Sequence, residues 1–294
     1  KQFGIPVLGT MAHSWVMSFD EEIDAFREYV RQYHDNLILL ADTYNVLEMG
    51  VPHAIQVFKE LKEEGRLPGK YGIRIDSGDI AYLSQEATRM FTEAGFPDVI
   101  ISGSNDLDEY TIQSLKAQGC TVTSWGVGTK IITADGTSAL GGVFKMAVKE
   151  ADGKEVPVMK FSNDVEKMTN PGIKTVYRFY KKDTGKMITD LVCLHDEKAA
   201  DGGDFTLVTE SAKWRRKELK AGTYTVEELL RPVVENGRNL PLPALFEIIR
   251  YADKQMDTLW PEYTRLLNPD LMEINLSDKL QTLKSELIRR ELGE

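Results

Sequence analysis

Five short apolar segments in the first half of the sequence end at residues that could bind or transfer charged groups. The segments are Ile5–Leu8, Asn36–Ala41, Tyr71–Ile75, Val99–Ser102 and Thr121–Trp125. The polar and glycine residues at or just after their ends are His13, Asp42, Arg74, Asp76, Ser77, Gly78, Asp79, Gly103, Ser104, Gly126, Gly128 and Thr129. An imidazole can act as a base or nucleophile, and arginine, hydroxyl and glycine N–H groups suit phosphates.

Amphipathic helical patterns separate these apolar segments. A helix is predicted from Ser18, with Glu21 at the capping-box spacing, and others around Ile55–Leu61, Ile80–Phe91 and Asp106–Leu115. Alternation of strand and helix predicts right-handed βαβ units and a parallel sheet. Because no dinucleotide-binding glycine fingerprint follows the first strand, an irregular TIM-like α/β barrel is favoured over a doubly wound sheet. In either fold, functional groups collect at the carboxyl ends of the strands.

The pattern changes after this α/β barrel core, which we assign to residues 1–140. Residues 141–220 are predicted to be a β-rich segment, and residues 221–294 a helical C-terminal region. The predicted strands of the β-rich segment are Val143–Val148, Val156–Phe161, Thr175–Tyr180, Met187–Leu194 and Phe205–Val208. The predicted helices of the last region are Val226–Val234, Ala244–Gln255 and Asp278–Leu292.

Composition narrows the class of function. The net charge of −10 over 294 residues disfavours general binding to nucleic acid. No apolar run is long enough for a membrane span, and the two cysteines, Cys120 and Cys193, predict neither a disulfide framework nor a zinc site. A reducing cytoplasm is therefore the expected compartment. The sequence opens almost at once on an apolar run, so we expect a C-terminal portion of a longer chain.

Several of the polar residues have an ordinary structural explanation as well. Gly126–Thr129 could hold a phosphate through backbone N–H groups, or could be a plain strand-to-helix turn. Asp76 and Asp79 could bind a hard cation or sugar hydroxyls, or could cap a helix, which suits Asp79 better. Strand alternation directs Arg74 away from the isoleucines on either side of it. Its guanidinium could bind an anion or form a structural ion pair.

The four histidines differ in their surroundings. His34, His53 and His195 lie at helix edges or in a turn among polar residues and are expected to be solvated or structural. His13 instead follows the first strand in a run of small residues. It faces the same rim as Asp42, the rim being the edge at which the carboxyl ends of the strands meet. A carboxylate that fixes the tautomer of an imidazole makes it a directed base or nucleophile.

Taken together, these motifs resemble the nicotinate phosphoribosyltransferase family. The matching stretches, in order, are Gly9-Thr10-Met11-Ala12-His13-Ser14, Asp42-Thr43-Tyr44, Arg74-Ile75-Asp76-Ser77-Gly78-Asp79, Gly126-Val127-Gly128-Thr129, Lys160-Phe161-Ser162 with Glu166-Lys167, and Pro171-Gly172-Ile173-Lys174 with Tyr177-Arg178. The resemblance covers most of the chain to about residue 180.

The resemblance implies a type II phosphoribosyltransferase that acts as a dimer in NAD salvage. Such enzymes join nicotinate to phosphoribosyl diphosphate and release diphosphate, with Mg²⁺ and with coupling to ATP hydrolysis. It further implies that His13 becomes a phosphohistidine and that Arg74 and Asp76 contact substrate, with Asp42 beside the histidine. Ribose and phosphate would be held by Ser77, Gly78, Gly103, Ser104, Gly126, Gly128 and Thr129. Asp76 and Asp79 would meet Mg²⁺ through the diphosphate. Aromatic residues that stack on the pyridine ring lie in an N-terminal part that this sequence lacks.

Three other functions are compatible with the same residues. One is a relative that uses nicotinamide or quinolinate. Another is a non-catalytic protein that binds phosphate or a partner. The third is an unrelated barrel isomerase with the same phosphate turn.

Overall fold

The computed structural model describes residues 4, 9–35, 37–163, 167–199, 203–209 and 216–293. The chain divides into two compact units, Lys1–Gly141 and Gly142–Glu294. The predicted strand Ile5–Leu8 lies outside the described residues. Within them, no helix combines the length and the apolar composition that crossing a bilayer requires.

A parallel four-stranded sheet forms the centre of the first unit. Its strands are β1 (Leu37–Leu40), β2 (Tyr71–Ile75), β3 (Ile100–Gly103) and β4 (Ser124–Trp125), and they pair in this order. Four of the predicted strands are therefore present, each within a few residues of its expected bounds. In the described part of the chain this sheet is open and no closed barrel is found, so the fold seen is mixed α/β.

Six helices accompany the sheet in the part of this unit that the structure describes. They are α1 (His13–Val16), α2 (Glu22–Gln32), α3 (Val51–Glu63), α4 (Ile80–Glu93), α5 (Glu109–Ala117) and α6 (Thr129–Ile132), with a π-helical turn at Val46–Gly50 before α3. The predicted capping box is wrong, because α2 begins at Glu22 and Ser18 instead donates to the carbonyl oxygen of Trp15. Asp108 rather than Asp106 caps α5, accepting from the N–H of Thr111.

The core between helices and sheet is built from fully buried apolar side chains. Phe26, Phe58 and Phe91 pack with Ile73 and Ile75, the two isoleucines on either side of Arg74. Burial of this kind is worth about 1.5–3 kcal/mol for each large side chain. The predicted alternation along β2 is thus confirmed.

Close backbone packing fixes one position of β2 as glycine. A Cβ atom on Gly72 would lie 2.0 Å from the carbonyl oxygen of Ile100 in the neighbouring strand. No side chain fits there without parting the two strands. The same sheet contact sets the register that delivers Arg74 opposite Ser102, so the rim geometry depends on it.

A mixed six-stranded sheet forms the second unit. The strands, in chain order, are β7 (Lys174–Lys181), β8 (Met187–Leu194), β9 (Phe205–Thr209), β10 (Arg216–Leu219), β11 (Tyr224–Glu228) and β14 (Ile274–Leu276). Their order across the sheet is β10-β9-β14-β8-β7-β11, with β14 parallel to β8 and the other pairs antiparallel. Two separate hairpins are β5 (Val148–Ala151) with β6 (Lys154–Pro157), and β12 (Val234–Glu235) with β13 (Arg238–Asn239).

One helix of this unit packs on the sheet and the other is largely exposed. Helix α8 (Asp278–Leu292) has the bounds predicted from the sequence; it follows β14 directly, is capped by Ser277 and buries Leu280. Helix α7 (Leu245–Thr258) has no buried residue, and Gln255 near its end accepts hydrogen bonds from Arg178 and Tyr180 of β7.

Two predictions in this unit are wrong, and a third, the strand Val156–Phe161, holds only as far as Pro157. Residues Val226–Val234 are not a helix, because β11 occupies Tyr224–Glu228 and pairs with β7. Residues Val143–Val148 form no strand before Val148, and Phe144 is fully exposed. An apolar run predicts a strand only when a partner strand is available to satisfy its backbone.

Candidate active site at the strand ends

The carboxylate of Asp42 joins the ends of β1 and β2. Its side chain is almost completely buried, and Oδ2 accepts hydrogen bonds from the N–H of Asp76 at 3.0 Å and from the hydroxyl of Ser77 at 2.5 Å. The hydroxyl of Ser77 is therefore committed to Asp42. The next residue, Gly78, has a φ of +79°, a left-handed conformation that glycine adopts without strain and that turns the chain into α4.

Arg74 is held by three neighbours at the rim. Nε donates to the hydroxyl of Ser104 at 2.7 Å, Nη1 to Thr10 at 2.9 Å and Nη2 to Asp76 at 2.8 Å. These described contacts use three of the five N–H groups that a guanidinium carries. Arg74 thus forms the structural ion pair that was one of its two expected roles. Its other two N–H groups, which have no partner among the described contacts, are available to an anion.

Asp76 lies at the centre of this network. Burial raises the pKa of its carboxyl, but hydrogen bonds from Ser104 and Arg74, together with the charges of Arg74 and His13, outweigh burial and hold the pKa below its usual value. Ser104 is itself buried and donates to Oδ1 of Asp76 at 2.5 Å. Asp76 is therefore ionised at neutral pH.

His13 faces both carboxylates. Its Nε2 atom lies 3.8 Å from Oδ1 of Asp42 and 3.8 Å from Oδ2 of Asp76, while Nδ1 lies 3.1 Å from the hydroxyl of Thr43. The imidazole is 40% exposed, so a ligand can reach it. The structure thus brings His13, Asp42, Arg74 and Asp76 together, as predicted.

A cavity of about 370 Å³ opens beside Arg74. Its lining includes Thr10, Ser104, Trp125, Gly126 and Gly128. Because it combines an arginine, hydroxyls and exposed glycine backbone, it offers donors to an anionic ligand.

The glycines around this cavity have different surroundings. A Cβ on Gly126 would lie 3.1 Å from Cβ of Ser104, and one on Gly103 would lie 3.2 Å from Val122, so both are constrained by packing. A Cβ on Gly128 would have no atom within 4 Å, and the φ of this glycine is −110°. Thr129 is exposed and begins α6.

Asp76 and Asp79, the two carboxylates predicted to meet Mg²⁺, already have hydrogen-bond partners among the described residues. Asp79 caps α4 by accepting from the N–H of Tyr82, which agrees with the capping explanation. Oδ1 of Asp76 is occupied by Arg74 and Ser104. Over the described ranges, no group of three or more His, Cys, Asp or Glu side chains could hold a metal ion. The contact of Asp76 and Asp79 with substrate-borne Mg²⁺ stays a prediction.

The structure also adds residues that were not predicted as site residues. Thr10 and Thr43 lie within the matching stretches, and they hold the side chains of Arg74 and His13. His53 is partly buried and has the structural role that was one of its two expected explanations, since its Nδ1 lies 2.8 Å from buried Glu22 on the neighbouring helix. Burial raises the pKa of Glu22, although the hydrogen bond and charge of His53 counter it.

Comparison with known proteins gives a consistent result. Residues 173–284 match the family model described as the nicotinate phosphoribosyltransferase C-terminal domain. The chain is 38% identical over 292 residues to a nicotinate phosphoribosyltransferase of Bacillus subtilis, covering 98% of this chain and 58% of that protein. It is 31% identical to nicotinate phosphoribosyltransferase 2 of Arabidopsis thaliana, covering 95% of this chain and 59% of the relative.

A solved structure agrees with these sequence matches. The crystal structure of human nicotinic acid phosphoribosyltransferase superposes with a TM-score of 0.75 at 27% identity, covering 97% of this chain and 62% of that chain. The chain is thus similar to nicotinate phosphoribosyltransferases over almost all of its own length, and it spans about three fifths of the length of these relatives.

Proposed function

We propose that this chain carries the phosphoribosyl-transfer site of a nicotinate phosphoribosyltransferase. The observation that carries the proposal is the placement of His13 Nε2 at 3.8 Å from both Asp42 and Asp76, beside a cavity that Arg74 lines. The proposed reaction joins the pyridine nitrogen of nicotinate to the anomeric carbon of phosphoribosyl diphosphate. The bond to diphosphate breaks, giving nicotinate mononucleotide for NAD salvage.

Each residue has a distinct part in this proposal. Arg74 offers its two remaining N–H groups to an anionic group of the substrate, and Asp76 fixes the guanidinium through its ion pair. The Gly126–Thr129 turn and Ser104 border the space proposed for the ribose phosphate, with Gly103 and Gly78 shaping the strand ends. Because a transition state of this kind gains positive charge at the sugar, positioning and charge stabilisation dominate its catalysis.

The proposed cosubstrate is ATP, which would phosphorylate His13. The imidazole is exposed enough for contact with ATP, and carboxylates on one side restrain its orientation. Mg²⁺ would enter with diphosphate or ATP and neutralise phosphate charge, with Asp76 and Asp79 as its proposed contacts.

The complete assembly is also part of the proposal. We infer that the remaining two fifths of the relatives' length supply the residues that stack on the pyridine ring, and that β1–β4 belong to an irregular TIM-like barrel in the complete enzyme. The enzyme would act as a homodimer in the cytoplasm.

Replacement of His13 tests the role of ATP. In a full-length family member with this sequence, His13→Ala should abolish ATP hydrolysis and ATP stimulation while slow nucleotide formation continues. Acid-labile, base-stable phosphate should appear on the unaltered protein and on a His34→Ala control, since His34 is exposed and remote from the rim in sequence. Full ATP coupling in the His13→Ala protein would remove His13 from this role.

A further inference from the structure

The imidazole of His13 is contacted on both of its nitrogens by residues of one strand end. Asp42 and Thr43 are adjacent in the chain just after β1, yet Asp42 lies next to Nε2 and Thr43 next to Nδ1. The Nδ1–Oγ1 distance of 3.1 Å is a hydrogen-bond distance, whereas the carboxylate oxygens stand at 3.8 Å from Nε2.

The charges around the ring decide where a neutral imidazole holds its single proton. Two carboxylates on the Nε2 side create a negative potential that favours an N–H there over a lone pair. Moreover, Oδ1 of Asp42 is buried and has no hydrogen-bond partner among the described atoms. A buried acceptor without a partner is costly, so a proton directed at it is favoured.

With the proton on Nε2, Nδ1 carries a lone pair and can only accept. The nearest donor is the hydroxyl of Thr43, which can rotate its hydrogen toward the ring because a hydroxyl both donates and accepts. The negative charge beside Nε2 selects this tautomer, and the hydrogen bond at Nδ1 is compatible with it and holds the ring orientation.

We propose that Thr43 is a positioning residue that donates to Nδ1 of His13 and fixes the ring with Nε2–H toward Asp42 and Asp76. The effect of Thr43 on catalysis rests on the proposed function, whereas its effect on the geometry of the ring does not involve a substrate. If His13 is the reacting residue, Thr43 fixes the orientation in which its imidazole meets ATP.

Nitrogen NMR of the 294-residue protein tests this directly. Selective ¹⁵N labelling of the four histidines reports separately on nitrogens that carry a proton and nitrogens that carry a lone pair. In the unaltered protein, His13 should show a protonated Nε2 and an accepting Nδ1. Thr43→Val keeps the branched shape but removes the hydroxyl, so both nitrogens should shift toward the averaged values of a free imidazole. Thr43→Ser should restore the original signals.

Two controls separate positioning from general damage. The signals of His53, held by Glu22, should not move in any variant. Thr43→Ala removes the same hydroxyl with a smaller side chain and should reproduce the effect of Thr43→Val. Unchanged His13 signals in both hydroxyl-free variants, or a proton on Nδ1 in the unaltered protein, would overturn the proposal. Neither result depends on whether the protein transfers a phosphoribosyl group.

Discussion

Arg74 and Asp76 lie two residues apart at the end of β2, and Nη2 of the arginine is 2.8 Å from Oδ1 of the aspartate. Strand alternation places residues two apart on the same face, so the chain itself presents the pair to the rim. Ser104, from the neighbouring strand end, accepts from Arg74 and donates to Asp76. The ion pair is therefore fixed by a third residue.

Ser104→Ala should weaken the fold in a pH-dependent way. The hydroxyl stabilises ionised Asp76 and helps hold its pKa below the unfolded value, which is about 3.9. Stabilisation from a lowered carboxyl pKa is present above the unfolded pKa and is lost as pH falls through the folded pKa. We expect a loss of about 1–2 kcal/mol in the free energy of unfolding at pH 7, and a smaller loss at pH 3.

Urea unfolding at both pH values measures this difference. Ser102→Ala is the matched control, because Ser102 lies two residues earlier on β3 and has no hydrogen bond to Asp76 among the described contacts. An equal loss at pH 7 and pH 3 for Ser104→Ala would show that the hydroxyl does not act through the ionised carboxylate.

Gly128→Val should weaken binding of phosphoribosyl diphosphate and leave the fold intact. A Cβ atom added at Gly128 would have no atom within 4 Å, and Gly128 lines the cavity beside Arg74. The φ of Gly128 is −110°, so a side chain there meets no penalty for a positive φ. Because ψ is −92°, outside the common helical and extended ranges, we expect a loss of about 1 kcal/mol in the free energy of unfolding, too little to unfold the protein.

Calorimetric titration with the magnesium salt of phosphoribosyl diphosphate tests the binding. Gly69→Val is the control, because Gly69 also has open space around it but does not line this cavity. Equal affinity for the Gly128→Val and Gly69→Val proteins would mean that the turn is only structural.

The two cysteines should differ in reactivity. Burial raises the pKa of the Cys193 thiol to about 12, so little thiolate forms at neutral pH, whereas Cys120 is only partly buried. Iodoacetamide at pH 8 should modify Cys120 first, and mass spectrometry of the peptides identifies the site. Both cysteines should react in denaturant, and early modification of Cys193 in the folded protein would contradict its burial.

Local sequence patterns predicted the residues of the rim well because these residues directly follow the ends of strands. Short apolar segments followed by polar residues located β1 to β4, and parallel pairing then brings Asp42, Asp76 and Ser104 to one edge of the sheet. Helix α8 was also predicted at its observed bounds, and the structure shows that Ser277 caps it.

The predictions that were wrong depended on distant partners. Strand β14 inserts between β8 and β9, and β11 pairs with the earlier strand β7, and neither pairing is visible in a local pattern. The hydrogen bonds of Thr10 and Thr43 likewise depend on side-chain orientations across the rim. The pairing of His53 with Glu22 requires knowing how α2 and α3 face each other.

The most direct test of the account is product formation from three pyridine bases. The chain is supplied with phosphoribosyl diphosphate and Mg²⁺, with and without ATP. Each reaction is run with the chain alone and with a second polypeptide, the part of the Bacillus subtilis relative that lies outside the match. Nicotinate, nicotinamide and quinolinate are each offered, and nucleotide and diphosphate are quantified.

Because positioning losses can cost roughly a hundredfold in rate, we predict little activity for the chain alone. With the second polypeptide, nicotinate mononucleotide and diphosphate should form in equal amounts, and ATP should stimulate the reaction. Preference for nicotinamide or quinolinate, or phosphate binding without turnover in the combined sample, would contradict the proposed function.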